Sequence, residues 1–78
     1  MSRKEFLFGH LSPEVGRFVL QGLRQLEQEN VFDAPSVISG IVCRMRSADS
    51  ALVRSAANRT EGLLRQMFAQ QYLTRVGA

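Results

Sequence analysis

Apolar residues recur along this chain at helical spacing in four stretches. In the first, Val15, Phe18, Val19, Gly22, Leu23 and Leu26 follow the i, i+3, i+4, i+7 pattern of one buried helix face. Ser12 can cap this helix, Pro13 suits its first position, and Glu14 suits the positive end of its dipole. Arg17, Gln21, Arg24, Gln25 and Gln28 fill the polar side, and Asn30 tolerates the left-handed conformation that ends helices. Gly22 lies on the apolar stripe, which anticipates a close helix approach. Leu20 falls off the stripe and is available for a second contact. The next helix is expected from about Pro35 to Arg46, behind an Asp33 cap, with Val37, Ile38, Ile41, Val42 and Met45 as its stripe. Four of those five residues are β-branched, which suits a strand, but the i, i+4, i+8 spacing and the cap favour helix.

Beyond Arg46 the pattern breaks twice. Ser47 or Asp49 can cap a short helix from Ser50 to Ala57, whose apolar positions are Leu52, Val53, Ala56 and Ala57. Asn58 can cap another, with Glu61 three residues on reaching back to the cap. That last helix is expected from Arg59 or Thr60 to about Gln71, with Leu64, Met67, Phe68 and Tyr72 as its core face and Leu63 at the edge. Its opposite face carries Arg59, Gly62, Gln66 and Ala69, flanked by Arg65 and Gln70. Tyr72 to Val76 is expected to run on as an extended tail, and Gly77 and Ala78 to fray. At the other end, Phe6, Leu7 and Phe8 form either a short strand or a plug for the core. The expected fold is all-α: a small three- to four-helix domain, helix-turn-helix-like, with at most a short terminal strand pair. Residues 1–11 make an N-terminal arm and 12–76 the helical core, which gathers Val15, Phe18, Val19, Leu23, Ile38, Ile41, Leu64, Met67 and Phe68.

Length sharpens one expectation. A chain of 78 residues makes one domain and buries only roughly 60–65% of its unfolded surface. With no disulfide to staple it, a second subunit would complete the core, so a homodimer is expected, with Phe6, Phe8 and Leu20 at the interface. The lone Cys43 sits in an apolar helical run and reads as a small buried hydrophobe. One unpaired cysteine and no membrane-length apolar run or signal peptide point to a soluble, cytoplasmic protein.

Charge is placed unevenly. Residues 1–43 hold four basic and five acidic side chains, net −1, whereas residues 44–78 hold six basic and two acidic, net +4. A basic half points to an anionic partner, duplex DNA first. Chemistry-bearing groups are sparse: one histidine, His10, one cysteine, and no glycine-rich loop after a strand. No enzyme, no metal site and no cofactor are therefore expected.

The order of helices ending in L-L-R-Q-M-F-A-Q-Q-Y-L-T-R-V resembles the winged helix-turn-helix proteins of bacterial regulators, over about residues 35–76. The resemblance implies a repressor-like transcription regulator. Helix 59–71 would be its reading helix, and a short strand from Tyr72 would pair with residues 5–8. Arg59, Arg65 and Gln66 would then reach base edges, while Arg44, Arg46 and Arg54 would hold phosphates. The competing reading is a small helical module for protein–protein interaction, such as an adaptor, an assembly subunit or an inhibitor encoded by a mobile element. It would use one unbroken helix from Asp49 to Leu73 and set its basic face against an acidic protein partner. A turn at Asn58–Thr60 favours the first reading; an unbroken helix favours the second.

Overall fold

Five helices follow one another in a computed structural model that describes residues 3–77, with side-chain placements through residue 70. They are α1 (Arg3–His10), α2 (Pro13–Gln28), α3 (Ala34–Arg46), α4 (Ala51–Ser55) and α5 (Ala57–Gly77). The fold is all-α, and no strand occurs among the described residues. Helix α3 is central, packed against α2 on one side and α5 on the other; α1 lies on α2 and α5, and α4 touches α2, α3 and α5.

The capping residues of α2 and α3 act as their chemistry dictates. The Val15 amide donates to Ser12 Oγ at 3.5 Å, and the Ser36 amide to Asp33 Oδ2 at 3.0 Å. The hydroxyl and then the amide of Ser36 hold the Asp33 carboxyl below its ordinary pKa by favouring the charged form. Helix α2 ends in a Schellman motif. Asn30 adopts φ 62°, the Val31 amide donates to Leu26 O at 2.9 Å and the Asn30 amide to Glu27 O at 3.0 Å, so two terminal carbonyls are satisfied. The expected stripes are buried: Val15, Val19, Leu23 and Leu26 on α2, and Val37, Ile38, Ile41, Val42 and Met45 on α3. At Gly22 the Ile41 side chain packs onto α2, since a Cβ there would sit 2.6 Å from Ile41 Cδ1. Phe18 and Phe68 are only partly buried, at the edge of the core rather than inside it.

The N-terminal arm is a helix. Phe6, Leu7 and Leu11 are at most 8% exposed, and the Phe8 ring lies over Gly16, whose missing Cβ makes room for it. Alone, eight residues are too few for a stable helix; burial of Leu7, fully inaccessible, supplies what propensity does not. Arg3 also pairs with Glu27 at 2.7 Å, and Arg59 Nη2 donates to His10 O at 3.0 Å, satisfying a carbonyl in the last turn of α1. Of the three residues expected at a dimer interface, Phe6 lies in the core, Leu20 is half-buried against it and Phe8 is half-buried over Gly16.

The boundaries around α4 differ from expectation. Ser50, not Ser47 or Asp49, caps α4: its Oγ accepts from the Val53 amide at 3.3 Å and donates to the Glu14 carboxylate. Of the apolar positions of α4, Val53 is buried and Leu52 is 49% exposed. The break between helices is the single residue Ala56, neither a turn at Asn58–Thr60 nor an uninterrupted helix from Asp49. Asn58 fails as a cap because it already lies inside α5, where its Oδ1 accepts from Arg46 Nη2 at 3.2 Å. Glu61 turns forward to Arg65, at 2.7 Å, instead of back to the cap. Thr60, expected in the turn, is fully buried, and its hydroxyl has no hydrogen-bond partner. At its far end α5 stays helical through residues 72–76, where an extended tail was expected. Intrahelical hydrogen bonding satisfies this backbone without a partner strand, whereas an extended tail would leave it to water. The expected core role of the Tyr72 side chain lies outside the described side chains, and Ala78 outside the described residues.

Candidate functional site

Two surfaces flank the first half of α5. The first is its solvent face. Ala57, Thr60, Leu64 and Met67 turn inward, so the opposite side, Asn58, Gly62, Gln66 and Ala69, is exposed. Nothing lies within 4 Å of a Cβ built on Gly62, so this face is open as well as exposed. Gln66 points to solvent at its centre.

The arginines around this face fall into two kinds. Arg46, Arg54 and Arg59 are exposed and have no carboxylate partner among the described residues. Arg46 reaches from the end of α3 to Asn58 and so stands at the first turn of α5. Arg54 Nη1 donates to Ala48 O at 2.6 Å and Asp49 O at 2.9 Å, bracing the α3–α4 loop. Arg59 braces α1 through His10 O. These contacts hold the guanidinium groups in place through neutral acceptors and leave their charge uncompensated. Arg44 and Arg65 are compensated: Arg44 meets Glu29 at 3.5 Å and Gly40 O at 3.3 Å, and Arg65 meets Glu61. Of the expected contact residues, Arg46, Arg59, Arg65 and Gln66 thus gather on or beside α5. Arg54 stands at the α3–α4 loop, and Arg44 turns back along α3 towards Glu29.

The second surface is a groove of about 1030 Å³ between α3 and α5. Pro35, Ile38 and Val42 line it from α3, and Phe68 and Ala69 from α5; Arg46 and the Glu61–Arg65 pair stand at its polar edge. Cys43 lines it too and is exposed, not buried as expected. The α3 stripe is wider than α2 can cover, so its α5-facing side carries both the buried Ile38 and the exposed Cys43. Phe68 also lines a smaller hollow with Val31, Val37 and the 65%-exposed Phe32, which extends the apolar surface beyond the groove. Helical spacing gave no sign of this groove, because the pattern shows which positions are apolar but not how fully a neighbour covers them.

Among the described residues no three histidine, cysteine or acidic side chains come together as a metal site, and no helix is long and apolar enough to cross a membrane. His10 is exposed with its ring 4.7 Å from that of Phe6. The chain matches no family model, no curated protein and no solved structure, so its functional reading rests on its own residues.

Proposed function

We propose that this protein binds duplex DNA through the exposed face of α5, as a small transcription regulator. The observation that carries this reading is that Arg46, Arg54 and Arg59, exposed on α3, α4 and α5, meet neutral acceptors and no carboxylate among the described residues. The positive end of the α5 dipole adds to their field. Gly62 and Ala69 keep the exposed helix surface shallow, so its backbone can approach a groove floor, and exposed Gln66 would bond a base edge such as adenine. Arg46 and Arg54 are suited to phosphates, which position a protein without reading sequence. Arg65 joins base reading only by leaving Glu61. A cytoplasmic homodimer on a palindromic site would extend this reading.

Binding to mixed duplex DNA across a salt series tests it. Neutralising three phosphates gives a log affinity that falls with log salt at a slope of about −2.7. Arg46→Ala should weaken binding to all sequences and flatten that slope. Gln66→Ala should weaken a selected site by about 1–3 kcal/mol and random DNA far less. Wild-type protein that shows no salt-dependent DNA binding at low ionic strength sinks the regulator reading.

A further inference from the structure

We infer that the α3–α5 groove is a docking site for an acidic amphipathic helix of a protein partner. The groove has the composition that helix-in-groove recognition uses: an apolar lining from Ile38, Val42, Phe68 and Ala69, running on towards exposed Phe32. Among the described residues no buried polar side chain faces into it, and its polar groups stand exposed or half-exposed at the edge, which suits a small polar ligand poorly.

Charge selects the occupant. Glu61 is paired with Arg65 at 2.7 Å, which leaves Arg46 as the uncompensated charge on the edge, held there by neutral Asn58. A helix that lays leucine-like residues into the lining and carries glutamate or aspartate beside them finds a cation at that edge. A lysine-flanked helix meets repulsion instead. A second copy offering its own α5 is a poorer occupant, because residues 44–78 carry net +4 and would meet their own sign.

Cys43 provides a native reporter, since its thiol is exposed and lines the groove. The probe is a synthetic helix of four turns, roughly 14 residues, with leucine at i, i+3, i+4 and i+7 and glutamate on both flanks. Its control carries lysine in place of glutamate. Peptide anisotropy and the rate of Cys43 alkylation by iodoacetamide are read on the full chain without DNA, so the result is independent of DNA binding. The glutamate peptide should bind and slow alkylation, and the lysine peptide should bind at least about tenfold more weakly. Ala69→Gln places a long neutral side chain at an exposed helical position, so the fold is retained, verifiable by circular dichroism, while affinity for the glutamate peptide falls about tenfold. Arg46→Glu should reverse the preference between the two peptides. Three outcomes overturn the inference: Cys43 stays equally reactive with either peptide; both peptides bind alike; or Cys43 becomes protected as protein concentration alone rises, with sedimentation showing a dimer, which assigns the groove to a second copy.

Discussion

Helix α3 has two unlike flanks. Towards α2 the Ile41 side chain ends 2.6 Å from where a Gly22 Cβ would sit. Towards α5 it leaves an apolar groove with an exposed thiol. Both flanks of α3 carry buried contacts and a surface hollow, about 430 Å³ beside Gly22 and about 1030 Å³ beside Phe68. Apolar character alone therefore does not separate core from surface here. Beside Gly22 the Ile41 methyl fills the space a side chain would take, whereas beside Phe68 the larger hollow stays open.

Four predictions test that contrast, from the largest effect to the smallest. Ile41 is fully buried and packs towards α2, so Ile41→Ala should lower unfolding free energy by about 2–5 kcal/mol in urea titration, while Ser39→Ala at the groove should move it by less than about 0.5 kcal/mol. Equal losses at both positions would show that the groove is as tightly filled as the α2 contact. Gly22→Ala gains helix propensity but forces Ile41 to move inside a close-packed region. The contact is with the end of a side chain, so a net change within about 1 kcal/mol is expected, and a larger loss in urea titration would show that Ile41 cannot shift.

Thr60 lies on the sealed side of α5, fully buried with an unpartnered hydroxyl. Thr60→Val keeps the shape, removes that polar group and should stabilise by about 1 kcal/mol. A loss of stability would reveal a hydrogen bond to the hydroxyl. Gly62 is its open counterpart on the same helix. Gly62→Ala should stabilise by about 0.8–1 kcal/mol through helix propensity alone, and under the proposed function it should weaken DNA binding at the same time. A gain in stability with unchanged DNA affinity would remove Gly62 from the binding surface.

The pH response is smaller and more local. Asp33 has a folded pKa below its ordinary value, so its contribution is present above the unfolded carboxylate pKa, about 3.9, and is lost as pH falls through the lower folded value. Asp33→Asn keeps the cap but cannot titrate, so its urea midpoint should fall less steeply than wild type on acidification. Identical acid limbs would assign that slope to other carboxylates.

Local signals in the chain were sufficient for α2 and α3. Ser12, Asp33 and Asn30 act within a few residues of themselves, so their roles as caps and as a left-handed terminator were legible before any packing was known. The all-α class follows from the same short-range information, as does the exposure of Gly62, Gln66 and Ala69 opposite a buried Leu64 and Met67. The α4–α5 junction was not legible. Asn58 has the chemistry of a cap, yet its acceptor is used by Arg46, twelve residues away, and Ser50 caps α4 while also donating to Glu14, 36 residues away. Several side chains offer plausible local bonds there, and distant partners chose among them.

Tertiary structure alone decided three further matters. Phe6 and Leu7 became helical core because α2 and α5 provide a surface for α1, which eight residues cannot stabilise by themselves. Arg46, Arg54 and Arg59 kept uncompensated charges because the acceptors that fold brought to them were carbonyls and an amide, whereas Arg44 and Arg65 met carboxylates. Cys43 became exposed because α5 does not cover that side of α3. Sequence determined which positions are apolar, which residues can cap and where positive charge is concentrated, since these are properties of single residues and short spacings. The partners of those residues, and which apolar positions stay uncovered, depend on distances between helices that no local pattern encodes.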